Sequence, residues 1–494
     1  MSREDPGPVS SAPRWRAPRR GERVLARITE GGLWSGVAVF GAPLVVGMVL
    51  HTAFNLIDMF MISRLPNGTA ALGALGVCDM VAAVATIVSN GISTATVASV
   101  ARRSGARDRN GLRRATYQSL LFVGVLSALF GLVGLFGSDF IIRVVMQAKG
   151  EAADLAVGYL QVMLGGCFSI FFLLQITAIL RALGHANTAA ALLVGGNILN
   201  IVLNVFLIYG SGPYPAELAF AEPLGVALGA PRLGVLGAAW ATLIGRTVPV
   251  VIGAWLLARR PGGPRFHWIY LRPIGAEIRN LIRLGWPSST QLVVRVGSVL
   301  VFISLINANF TTADDQSTLA AYGICLRLET MALFMGMGWG AAASSYVGTN
   351  LGAGFAGRAI RSGWIAALYN FVMMALLVTL YLTYAGEIVG FFDPSEHVLV
   401  VGREYLGTVG LSYGLIGVAV VLSQAMTGAG ATLSSMFIDV LVLLVVVVPA
   451  AIVVTETLEL SRMALWTTIA IGNAVAALGY VAWYARGSFL AKRV

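Results

Sequence analysis

Six charged side chains stand inside long apolar stretches, where a charge needs a reason: Asp58, Asp79, Arg246, Arg295, Arg327 and Glu329. Away from water a carboxylate can hold a proton or a small cation, and a guanidinium can bind an anion. Either can also neutralise the other. A lone charge at the centre of a bilayer costs at least about 2.5–3.5 kcal/mol, so each should face a bundle interior or water. Arg327 and Glu329 are two apart, so on a helix they point to nearly opposite faces and do not pair with each other. Arg295 with Glu329 is the expected buried pair, and for the five charges other than Asp58 a structural role is favoured. Asp439 lies near the end of its apolar run and is expected to reach water or a headgroup.

Other patterns that could do chemistry fail on context. Gly410-Leu411-Ser412-Tyr413-Gly414 matches a nucleophile elbow, but it lies in an apolar run and no histidine follows it. The stretch Gly336 to Gly340 is glycine-rich but reads as a close-packing helix face. His51, His185, His267 and His397 lack ligand-like spacing, so no metal centre is expected. The two lysines, Lys149 and Lys492, each follow alanine, so the chain has no Walker A loop and no ATPase domain of its own. Any active transport must therefore be secondary. No cofactor and no enzymatic activity are expected.

The elements that hold these residues must lie in a membrane. Of 494 residues 57% are hydrophobic and only 12% charged, against about 25% charged in soluble domains. Twelve apolar runs between residues 34 and 486 are long enough to cross a bilayer. The first 33 residues, rich in Pro and Arg, read as a disordered basic tail. Of 34 basic residues, 25 fall on the side of the termini and six on the other, which makes both termini cytoplasmic. The net charge of +11 then serves anionic headgroups, not nucleic acid. Cys78, Cys167 and Cys325 all sit in apolar runs, which excludes a disulfide framework.

The chain also repeats itself. At an offset of 247, Gly76 meets Gly323, Cys78 meets Cys325, Gly91 meets Gly338 and Gly105-Ala106 meets Gly352-Ala353. At 246, Tyr159-Leu160 meets Tyr405-Leu406 and Gly184 meets Gly430. Six crossings return the chain to its starting side, so the halves are parallel repeats about an axis along the membrane normal. The expected fold is all-α: an N-lobe at 34–258, a cytoplasmic linker at 259–282, a C-lobe at 283–486 and a short cytoplasmic end at 487–494. Spans 1 and 5 run in the same direction. Asp58 and Asn204 each lie six residues before the outer ends, Arg64 and Gly210, so both sit about 9 Å deep and one polar pocket is plausible.

Several segments resemble the multidrug and toxic compound extrusion (MATE) family. They are PLVVGMVLHTAFNLID (Pro43–Asp58), LRALGHANT (Leu180–Thr188), NILNIVLN (Asn197–Asn204), GVLGAAWATLIG (Gly234–Gly245), RLGWP (Arg283–Pro287), LAAYGI (Leu319–Ile324) and AAASSYVGTNLGAG (Ala341–Gly354). The resemblance implies two six-helix lobes in a V, opening alternately, with H⁺ or Na⁺ influx driving export of organic, often cationic, compounds. In the DinF-type branch it implies a coupling acid in helix 1, matched by Asp58, after a kink-forming proline, matched by Pro43. It carries over helix 5 positions to Asn200 and Asn204 and a helix 6 threonine to Thr242. The branch has a second acid where Asn204 stands, and a lone carboxylate suits one proton or a weakly held Na⁺. The NorM-type acids of the second lobe fall on Arg295 and Ile416, so that cation site is absent. The expected protein is a monomeric exporter of cationic or amphipathic small molecules in a bacterial inner membrane, in contact with membrane lipid. A flippase for lipid-linked saccharides is the alternative.

Overall fold

The computed structural model describes residues 20–259, 270, 272–312 and 315–491. All regular elements among the described residues are helical. Twelve are long and apolar enough to span a bilayer, and they are numbered in chain order: α1 Leu33–Ser63, α2 Gly68–Gly105, α3 Arg109–Val145, α4 Gly150–Ala182, α5 Ala186–Tyr209, α6 Val235–Arg259, α7 Gly275–Phe310, α8 Ser317–Gly352, α9 Ala356–Thr383, α10 Glu396–Gly428, α11 Thr432–Thr457 and α12 Arg462–Arg486. Within lipid a helix satisfies its own backbone groups, which is why continuous apolar runs take this form. Large apolar side chains such as Phe136, Leu376 and Leu478 point outward, 83%, 69% and 68% exposed, as lipid-facing residues do.

Helices α1–α6 and α7–α12 form two bundles, and the internal repeat is visible in their details. The Cys78 thiol donates to the Ala156 carbonyl, and its counterpart Cys325 donates to Gly402, the residue equivalent to Ala156. Gly184 and Gly430 close equivalent turns at φ of +85° and +87°, a conformation that only glycine adopts without strain.

The bundles meet through α1 against α8 and α2 against α7, with α2 also packed on α8. Glycine makes these approaches possible. A Cβ on Gly105 would lie 2.0 Å from the Thr349 carbonyl oxygen, and one on Gly352 would lie 1.9 Å from that of Arg102, the residue equivalent to Thr349. Further along, Gly91 abuts Ser289 and the Gly285 carbonyl, while Gly338 abuts the Val45 backbone. Arg103 of α2 and Glu277 of α7 add an ion pair of 2.9 Å between the lobes. All these contacts lie in the half of the molecule nearest the chain termini. Beyond them a Cβ on Gly73, Gly76 or Gly323 would meet nothing within 4 Å. The cleft is thus closed at the terminal end and open at the other.

Two expected boundaries change. Part of the 1–33 tail is ordered: Arg20–Thr29 forms a basic amphipathic helix. Its Val24 and Ile28 pack at Gly184 of the first lobe, and Arg358 of the second lobe donates to the carbonyls of Ile28 and Gly31. The apolar face of this segment was masked in sequence by its Arg content. The end of the 259–282 linker is also helical, since α7 begins at Gly275. The preceding turn is held by the Gln118 side chain of α3, which donates to the carbonyls of Tyr270 and Arg272, each at 2.8 Å. Residues 260–269 and 271 of the linker lie outside the described residues.

The glycine contacts give a direct test. Gly91→Val overpacks the α2–α7 contact and destabilises this conformation by about 1–3 kcal/mol. Gly73→Ala, in open space, stays within about 0.5 kcal/mol of the parent. Thermal unfolding of the purified protein in detergent measures both.

Candidate functional site

The first lobe gathers four polar residues from three helices. Gly196 of α5 and Gly245 of α6 let those backbones touch, for a Cβ on Gly196 would lie 2.7 Å from the Gly245 carbonyl oxygen. This close crossing sets Asn200 against Thr242. Helix α1 packs on α5 beside Gly47, and the buried Tyr209 hydroxyl donates to the Met61 carbonyl at 2.7 Å, fixing the relative height of the two helices. Asp58 is then level with Asn204, whose amide nitrogen donates to it at 2.5 Å.

A carboxylate offers Asn200 only acceptors, so the Asn200 amide is oriented with its nitrogen toward Asp58. In that orientation it donates to the two carboxylate oxygens at 3.1 and 3.2 Å, and its oxygen accepts from the Thr242 backbone nitrogen and hydroxyl, both at 3.1 Å. The Asn204 side-chain oxygen is buried beside the carboxylate with no hydrogen-bond partner. An acceptor left over next to an acid is a donor set with room for a proton-bearing group or a small cation. Asp58 and the Asn204 oxygen are the groups that would hold Na⁺ there, with Asn200 orienting the carboxylate. Among the described residues no cluster of three or more His, Cys, Asp or Glu could hold a metal.

Arg246 stands one turn along α6 from Thr242, within electrostatic reach of Asp58, Asp79 and Tyr159 and without a direct ion pair to any of them. Asp79 is therefore a second carboxylate near the group, where the sequence points to Asp58 alone. Two turns below Asp58 on α1, His51 is in hydrogen-bond contact with Asn197 at about 3.4 Å, and it also lies within reach of Arg246. Sequence reasoning missed this rung. The signal was there, since His51 precedes Asp58 by the same seven residues by which Asn197 precedes Asn204. Pro43 lies inside α1, which stays helical across it from Leu33 to Ser63.

The second lobe is wired differently from expectation. Arg295 pairs not with Glu329 but with Asp439 of α11, at 3.1 Å. Asp439 is 2% exposed and reaches neither water nor headgroup. Its helix turns it toward α7 and α12, where Gln291 of α7 and the Tyr480 hydroxyl of α12 also donate to it, at 3.2 and 2.8 Å. Glu329 instead accepts from the Tyr405 hydroxyl at 2.8 Å, inside the C-lobe. Arg327, on the other face of α8, is exposed and makes no ion pair or hydrogen bond among the described residues.

A family model described as MatE matches residues 43–206 and 296–453. The chain belongs to the MATE family. The probable multidrug resistance protein YpnP of Bacillus subtilis is 24% identical over 413 residues, covering 84% of this chain and 86% of that one. The FAD transporter of Shewanella oneidensis is 23% identical over 411 residues, covering 83% and 85%. A solved structure described as the outward-facing conformation of a multidrug resistance MATE family transporter superposes with a TM-score of 0.83 at 25% identity, covering 97% of this chain and all of that one. This protein is accordingly a multi-pass membrane protein with the two-lobe MATE fold, from a family of transporters. The Asp58 group lies in the wall of the first lobe, and the cleft between the lobes is closed at the terminal end.

The Arg295–Asp439 pair predicts a sharp asymmetry. Arg295→Met strands a buried carboxylate and destabilises the protein by about 3–5 kcal/mol, whereas Arg295→Met with Asp439→Leu recovers most of that loss. Thermal unfolding of the single and double variants separates the two outcomes.

Proposed function

We propose that this MATE-family protein is a secondary exporter of amphipathic organic compounds, driven by entry of a proton, or of Na⁺, at Asp58. The observation that carries the reading is the carboxylate ringed by Asn200 and Asn204, with the Asn204 oxygen left unpartnered beside it. Two acids and one arginine share this group, so its ionised form carries one uncompensated negative charge that an incoming cation neutralises. The names of relatives, multidrug resistance proteins among them, support export over the flippase alternative. The charge bias of the loops supports cytoplasmic termini in a bacterial inner membrane, with the cleft open to the outside. The protein is proposed to act as a monomer, since each chain carries both lobes.

In this reading Asp58 takes its proton or ion while the cleft is open outward. The neutral group then no longer holds the amides of Asn200 and Asn204 as before, α1 rearranges near Pro43, and the lobes exchange their contacts. Asp58→Asn is isosteric and permanently neutral. It is expected to lower gradient-driven export at least tenfold while cargo still binds and the protein still folds. Proteoliposomes loaded with a fluorescent cargo, ethidium or FMN, under separately imposed H⁺ and Na⁺ gradients, provide the measurement. Export by the variant at the parent rate would remove Asp58 from the coupling role and make Asp79 the next acid to replace.

A further inference from the structure

The N-lobe acids all have company: Asp58 has two amide donors, and Asp79 has Arg246 in electrostatic reach. Arg295 is paired with Asp439. Arg246 has both acids in electrostatic reach, whereas Arg327 is an exposed membrane-depth charge with no hydrogen bond, ion pair or acid neighbour among the described residues. It lies ten residues into α8, about 15 Å from that helix's outer end. A guanidinium held so deep must face water or a ligand, since lipid would charge it several kcal/mol.

Its direction follows from α8 itself. Glu329, two residues on, points into the C-lobe and meets Tyr405, so Arg327 points away from that lobe. Phe334, seven residues on, shares the stripe of Arg327 and has its ring 6.1 Å from that of His51 on α1. The stripe Gly323, Arg327, Phe334 therefore faces the other lobe. Above the His51–Phe334 contact the lobes separate, and a Cβ on Gly323 would meet open space. Seven residues outward from that contact on each side stand Asp58 and Arg327, at matching height. Arg327 thus lines the cleft at the level of the coupling group. Its repeat equivalent on the facing wall is Met80, 56% exposed, so beside the Asp58 group that wall offers an apolar side chain opposite the cation.

We infer that the cleft selects amphipathic anions, with Arg327 receiving a phosphate or carboxylate while Met80 and Phe334 receive the apolar body. The guanidinium fork matches such a group with two parallel hydrogen bonds, and low-dielectric walls strengthen its field in the cleft. This inference names the cargo class of the proposed exporter and rests on that reading. It replaces the cationic cargo expected from the family resemblance. The same anion could arrive as a lipid headgroup or as a soluble organic phosphate.

FMN and riboflavin share one ring system and differ by a phosphate, which makes them a matched pair of probes. Flavin fluorescence is followed with the purified protein in phosphatidylcholine nanodiscs. The parent is expected to bind FMN at least tenfold more tightly than riboflavin, and Arg327→Gln to remove that preference with riboflavin binding unchanged. Arg327→Lys, with charge but no fork, falls between. Equal affinity for the two flavins, equal loss of both in Arg327→Gln, or tighter binding of ethidium than of FMN would overturn the inference. Nanodiscs containing phosphatidylglycerol distinguish the sources: weakened FMN binding there assigns the site to a headgroup, and unchanged binding assigns it to a soluble anion. If neither flavin binds, thiol reactivity at Gly323→Cys decides. An anionic methanethiosulfonate should outpace a cationic one several-fold relative to free cysteine, and Arg327→Gln should abolish the difference; a faster cationic reagent overturns the inference. Equilibrium binding needs no gradient, so its failure and the failure of coupling at Asp58 are separate results.

Discussion

A charge inside the apolar slab must be compensated, and the polar architecture of this protein is the set of answers to that constraint. Asp58 is answered by amides, Arg295 by a carboxylate, Glu329 by a tyrosine hydroxyl. The answers differ in what they permit. An ion pair such as Arg295–Asp439, with Gln291 and Tyr480 completing the carboxylate's bonds, is costly to open and holds α7 against α11. An acid satisfied by neutral amides keeps its charge uncompensated locally, and that is the arrangement a mobile cation can enter and leave.

The internal repeat sharpens this contrast. Eight residues after the helix-interior proline stands His51 in the first lobe and Arg295 in the second. The backbone contacts around them are equivalent, as Gly91 on Ser289 and Gly338 on Val45 attest. One scaffold therefore carries a titratable, neutral-capable rung at His51–Asn197 in one lobe and a permanent salt bridge in the other. In the proposed cycle the second lobe acts as a rigid partner, and the first lobe contains the groups that change state.

The architecture was legible because it is written in composition and repetition. The twelve spans, the halves, and the meeting of Asp58 with Asn204 follow from apolar run lengths and counted depth. Pairing across helices was not legible. Depth alone made Glu329 as good a partner for Arg295 as Asp439, because rotation about the helix axes decides the matter, and single-chain periodicity does not fix rotation in helices apolar on every side. The same limit hid Tyr405, an aromatic residue in an apolar run until its hydroxyl is seen to reach Glu329. The Arg20–Thr29 helix was hidden for the opposite reason, since its arginines outweigh the few apolar residues that dock it.

Helix α1 joins the two ends of the problem. Its outer part carries Asp58, bonded to α5, and its inner part carries Gly41 and Val45, packed on Trp339 and Gly338 of α8. Pro43 lies within the inner contact, between Gly41 and Val45, and the missing proline N–H frees the carbonyl one turn earlier from its usual bond. A helix is stiff along its axis, so a shift of the outer part is transmitted inward, and the proline is where bending costs least. Cargo held at Arg327 would touch α8 at the same height at which an ion held at Asp58 touches α1. The two occupants then act on opposite sides of one inter-lobe contact. Each would favour the lobe arrangement that suits it, which is the physical requirement for exchanging one for the other.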